Sequence, residues 1–187
     1  MLDLIVFAGI LNDKAKNARS KLNPLDYTET LTSLLYRLLE GDPFRQPLLA
    51  PGEGLYSDAA RLAMLGFMTG LLPNYCRDNF GSSLLRTRLA DAVRKVHSTH
   101  VDTGSGDVSL LLWILFMSGI SVLKSYDYGW LVSTIAEACD RAGLRDWVSV
   151  HRHLGGYPWI YVLHDGPARC LWEEARRVNL GDHGTAL

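Results

Sequence analysis

"SLLLWILFMSGISVL", residues 109–123, is the stretch whose reading decides the fold. It is almost wholly apolar, so it reads as a membrane span, a catalytic elbow around Ser118, or the centre of a helical core. From 108 to 123 it offers 16 uncharged residues. As a helix these cover about 24 Å, against roughly 30 Å of bilayer hydrocarbon. Ser118, Gly119 and Ser121 weaken a span further. A nucleophile elbow requires G-x-S-x-G on a strand-to-helix turn, but Phe116 and Ile120 stand where the glycines would be. A helix that is apolar on every side is also what the middle of a bundle requires. The run is therefore assigned to the core, with its small residues there to let another helix approach.

Outward from this run, helical periodicity recurs and strand alternation does not. Asp107 can cap the central helix. Upstream, Leu31, Leu34, Leu35, Leu38 and Leu39 make one stripe, with Asp26 and Glu29 spaced as a capping box. A helix at about 57–72 ends before Pro73, and Leu85, Leu89, Ala92, Val93 and Val96 stripe the next one. Downstream, Leu131, Ile135, Ala138, Cys139 and Ala142 share a face that stops at Gly143. The last helix is expected to open at Asp165 with Pro167 in its first turn and to bury Ala168, Leu171, Trp172, Ala175 and Val178. Glu173 stands four residues before Arg177, a favourable ion-pair spacing. The sum is an all-α protein of about eight helices, an orthogonal or solenoid-like bundle around a central buried helix near 108–123. Residues 41–56 hold three prolines and three glycines. They divide the N-terminal helices and linker (1–56) from a helical core (57–180), followed by a disordered tail (181–187).

Composition narrows the function. Hydrophobic residues make up 48% and charged ones 21% of 187 residues, a globular balance. With 19 basic and 20 acidic side chains the net charge is −1, which disfavours nucleic-acid binding by bulk electrostatics. Cys76, Cys139 and Cys170 form no CxxC pair and read as buried free thiols in a reducing compartment. The N-terminus lacks a basic n-region and a cleavage pattern, and it opens abruptly in a helix, as a fragment would.

No residue set assembles a catalytic or cofactor site. His97 and His100 are spaced i,i+3 and could share a metal, but no HExxH or Cys/His pattern completes it. His151 and His153 face apart on a helix, and the histidines at 97, 100, 151, 153, 164 and 183 read as helix-end or surface residues. Arg86, Arg88, Arg94 and Lys95 form a solvated basic face interrupted by Asp91. "DTGSGD" (102–107) lacks a P-loop lysine, and Glu173 and Glu174 diverge on their helix. The expectation is a non-enzyme with no catalytic, metal, DNA-binding or cofactor residues. The five tryptophans, 113, 130, 147, 159 and 172, are spaced 12 to 17 apart. They suggest an aromatic cluster, with Trp113, Trp130 and Trp147 as a candidate effector pocket.

"LLLWILFMSGIS" (110–121), the helix opened by Trp130, "GLRDWVSV" (143–150) and "DGPARCLWEEA" (165–175) resemble the C-terminal part of the fungal-specific transcription factor domain. That helical regulatory region lies downstream of the zinc-cluster module in fungal transcription regulators. "AARLAMLGFMTGLLP" (59–73) is compatible with it. The resemblance implies a helical domain that regulates transcription in a fungal nucleus through intramolecular contacts, protein partners or small effectors. The six-cysteine zinc cluster and its basic linker are absent from these residues. Direct DNA binding by this chain is therefore not expected, and the short apolar run at 108–123 gives no expectation of membrane association.

Overall fold

Asp107 begins the central helix as expected: its Oδ1 accepts a hydrogen bond from the Ser109 backbone N–H at 2.8 Å. The computed structural model describes residues 1–17, 21–40, 54–72, 82–103, 107–123 and 128–182, with backbone alone at 82, 100–103 and 179–182. Among these the helices run α1 Leu2–Lys16, α2 Pro24–Leu39, α3 Leu55–Leu71, α4 Ser82–Thr103, α5 Val108–Ser121, α6 Tyr128–Arg141, α7 Trp147–Leu154 and α8 Tyr161–Asp182. The fold is all-α. The expected linker over 41–53, Cys76, the glycines of "DTGSGD", the His100 side chain, His183 and the tail from 183 lie outside what is described.

Helix α5 is the hub, packed against α3, α4, α6, α7 and α8. Every side chain from Leu111 to Ser118 is buried, which explains why the sequence carries no polar face there. Burying one such Leu, Ile, Phe or Met contributes roughly 1.5–3 kcal/mol before chain entropy is charged against it. The small residues let neighbours in on different sides. A Cβ placed on Gly119 would stand 2.6 Å from Leu171 Cδ2 and 2.9 Å from Leu131 Cδ2, so α6 and α8 close over that point. Opposite, a Cβ on Gly66 of α3 would stand 2.6 Å from Ser121 Oγ. Ser118 is fully buried, and its hydroxyl donates to the Ile114 carbonyl at 2.6 Å, so it is a packing residue. No helix among the described residues is long and apolar enough to cross a membrane.

The stripes on α4 and α6 are buried along most of their length, Leu85, Leu89, Val93 and Val96 on one and Leu131, Ile135, Ala138 and Cys139 on the other, with Ala92 and Ala142 only partly buried. Burial pushes the Cys139 thiol up to about 12, so it stays protonated and inert, whereas Cys170, expected to be buried, is exposed on α8. Three local expectations are corrected. Helix α2 starts at Pro24, with Asn23 rather than Asp26 as its cap, because the Asn23 side chain already accepts from Leu25 N–H at 3.0 Å. Helix α8 starts at Tyr161, which places Pro167 inside the helix and leaves Val178 exposed. Glu173 pairs with Arg169, Nε to Oε1 at 3.1 Å, on the N-terminal side of the expected partner Arg177.

The N-terminal helices attach differently. Helix α2 rests on α3 through Leu31 and Leu34, and α1 reaches α8. Helix α1 buries Leu4, Phe7 and Ala8, with Phe7 beside Tyr27 at 6.0 Å between ring centres. Leu2, Val6 and Ile10, on the next stripe, are 73%, 56% and 42% exposed.

Candidate functional site

The polar and aromatic side chains gather where the α7–α8 connection folds over α5. Asp146 caps α7 by accepting from Ser149 N–H at 2.9 Å, and Leu154 closes the helix over the core. The chain then turns through Tyr157 and Pro158 into α8. The N–H groups of Ile160, just before α8, and of Tyr161, its first residue, are satisfied by side chains. Ile160 N–H donates to His164 Nδ1 at 3.0 Å, and Tyr161 N–H donates to Asn12 Oδ1 at 3.0 Å. Asn12 Nδ2 also donates to the Trp159 carbonyl at 2.7 Å, so one α1 side chain clasps both sides of the α8 start.

His151 and His153 do face apart. His151 Nε2 lies 3.1 Å from Asp165 Oδ1, which also accepts from the Trp159 indole N–H at 2.7 Å. His153 Nδ1 lies 2.7 Å from Ser109 Oγ. A serine hydroxyl on an imidazole is half of a nucleophile–base pair, but this one belongs to a capping network. Asp107 holds the Ser109 N–H and also accepts from the Tyr157 hydroxyl at 2.5 Å. Burial alone would raise the Asp107 carboxyl, but the hydrogen bonds from Tyr157, Leu110 and Ser109 outweigh it and hold the carboxyl below its ordinary value. The carboxylate thus takes the helix N–H groups that an oxyanion would need.

The structure gives the five tryptophans different surroundings. Trp113 is fully buried, stacks on Tyr157 at 5.7 Å and donates its N–H to the Pro158 carbonyl at 3.1 Å. Trp147 meets Phe116, His151 and Trp172. The buried Trp172 indole N–H has no hydrogen-bond partner. Trp130 sits apart, its edge toward His97 at 6.3 Å and Arg94 over its face at 5.1 Å. His97 in turn lies 3.3 Å from Glu137. Thus Trp113, Trp130 and Trp147, read from the sequence as one effector pocket, each meet different ring partners. Among the described residues no three or more His, Cys, Asp or Glu side chains are grouped to hold a metal ion.

Two concavities lie elsewhere. A groove of about 440 Å³ between α1 and α2 is lined by Val6, Phe7, Ile10 and Leu34, with Asp3 and Arg37 paired at 2.7 Å on its rim. A smaller cavity of about 170 Å³ opens where α3, α5 and α8 meet. Its walls are Phe67, Met117, Ile120, Leu163 and Pro167, with Gly66, Gly70, Ser121 and His164 completing them. His164 is only 6% exposed, its ring 5.0 Å from Trp159 and 5.4 Å from Phe67. This buried histidine was missed as a site residue, since a His near a helix start gives no sequence sign of burial. Desolvation pushes its imidazole down to about 4, with Asp165 opposing only in part, so it is neutral at physiological pH.

No protein-family model, curated protein or solved structure matches the chain.

Proposed function

We propose that the chain is a non-catalytic, all-α regulatory domain of the kind found in fungal zinc-cluster transcription regulators, acting in the nucleus through protein contacts. One observation carries this reading. The four segments that resemble that domain, separated in sequence, pack as one unit: α5 lies against α6, α7 and α8, and α6 lies along α8. All four contribute to its interior, since Trp113, Leu131, Leu144, Val150 and Leu171 are buried, with Trp130, Trp147 and Trp172 partly buried against it. A pattern of packing residues is what a regulatory scaffold needs, and the contact of Ser109 with His153 is absorbed by a helix cap.

The test fuses the 187-residue chain to an unrelated DNA-binding module upstream of a reporter. The expected result is a changed reporter output that Gly119→Leu abolishes, and no selective shift of DNA by the unfused chain. Sequence-selective, salt-resistant DNA binding by the unfused chain, or an unaltered reporter with a soluble folded fusion, would overturn it. A second reading, a small-molecule-sensing or protein-interaction domain outside transcription, is favoured by the α3–α5–α8 cavity; cytoplasmic residence of the tagged chain would support it.

A further inference from the structure

We propose that the cavity between α3, α5 and α8 is a binding site for a neutral, planar, benzene-sized molecule carrying one hydrogen-bond acceptor, to which His164 Nε2–H donates. The inference stands apart from the transcriptional reading, because it concerns the isolated chain and uses no reporter.

Size comes first. Apolar cavities of about 150 Å³ take up benzene, and this one is about 170 Å³ with largely apolar walls. Polarity follows from His164. Its Nδ1 accepts from the Ile160 N–H, which fixes the neutral tautomer with the proton on Nε2. Nε2 has no hydrogen-bond partner among the described residues, yet it is not sealed in the core, and the residue lines the cavity. An occupant without an acceptor would displace the water that reaches this donor and leave it unmade, so one offering an acceptor is favoured over a plain hydrocarbon.

Charge is excluded by the same surroundings. The desolvation that keeps His164 neutral also opposes a bound carboxylate, and the imidazole brings no positive charge to offset it. Ser121 adds no anion-binding donor, because its hydroxyl is spent on the Met117 carbonyl at 2.6 Å. Aryl ketones and aldehydes fit this description, and aryl carboxylates do not.

Gly70 supplies the control. It lines the cavity, and a Cβ built on it meets nothing within 4 Å. A larger residue there fills the space without a clash at Cβ and also suits a helix better than glycine does. The experiment titrates acetophenone, toluene and benzoate into the ¹⁵N-labelled chain, its Gly70→Leu variant and its His164→Phe variant. Acetophenone is expected to shift the amides of Gly66, Gly70, Ser121 and His164, at least fivefold more tightly than toluene, with benzoate inert. Gly70→Leu should keep its thermal unfolding and lose the shifts. His164→Phe, if folded, should bring acetophenone and toluene to equal affinity. No binding by the folded wild type, binding that survives Gly70→Leu, or equal wild-type affinity for acetophenone and toluene would each overturn the assignment.

Discussion

Helix α5 buries every side chain from Leu111 to Ser118, whereas α1 buries Leu4, Phe7 and Ala8 and leaves Leu2, Val6 and Ile10 in solvent. Both helices are apolar in composition, yet one is held by packing on all sides. The other is held by a thin contact, by the Asp3–Arg37 pair and by the Asn12 clasp on the start of α8. Apolar composition alone therefore does not say how firmly a helix is fixed. What differs is how many neighbours can reach its surface. Around α5 that access depends on Gly119 and on Gly66 across from Ser121. The α5 region should answer mutation with global unfolding, and α1 with local release.

Trp113→Ala tests the packed side most severely. The indole is fully buried, stacked on Tyr157 and bonded to Pro158, so its loss should cost about 3–5 kcal/mol in urea unfolding. A loss below about 1 kcal/mol would break the contrast between the two regions.

The next effect comes from pH. The His164 imidazole is depressed to about 4 in the fold, against an unfolded value near 6.5. The unfolded chain therefore binds the proton first as pH falls. The stability tied to the neutral ring is fully present above pH 6.5 and is lost progressively toward pH 4, up to about 3 kcal/mol in all. Unfolding curves at pH 7, 5.5 and 4.5 should show this fall in the wild type and a shallower one in His164→Asn. Equal slopes would remove His164 as its source.

Gly119→Leu ranks third. Its Cβ meets Leu171 and Leu131 below 3 Å, and both are buried. Overpacking should cost roughly 1–3 kcal/mol. An unchanged melting temperature would mean that α6 and α8 can slide away, and that α5 is less firmly enclosed than α1's contrast with it requires.

The packed region was also the legible one. Runs and stripes that repeat within one helix, such as 109–123 or the α4 face, expose their burial through periodicity, and the Asp107 cap is a local signal two residues long. What sequence reading missed joins distant positions. Ser109 and His153 are 44 residues apart, and Asn12 and Trp159 are 147 apart. No local pattern encodes such pairs. The start of α8 was misread because Pro167 suits a first turn; the helix instead begins at Tyr161, where His164 and Asn12 supply acceptors that lie outside any capping pattern. The three tryptophans taken as one pocket share spacing along the chain, but Trp130 meets His97 of α4, Trp113 stacks on Tyr157 beyond α7, and Trp147 of α7 packs on Phe116 of α5.

Asn12→Ala gives the smallest effect and the sharpest distinction. It removes two hydrogen bonds, one to the Trp159 carbonyl and one from the Tyr161 N–H. A net bond contributes roughly 0.5–1.5 kcal/mol, but water can replace the exposed one, so the global loss should be about 1 kcal/mol. The local result should be larger than that figure suggests, since α1 has few other attachments. Amide exchange over Leu4–Leu11 should accelerate at least tenfold while the α5 amides keep their protection. If instead α5 loses protection in step with α1, the two regions unfold as one unit, and the clasp belongs to the core that its exposed setting separates it from.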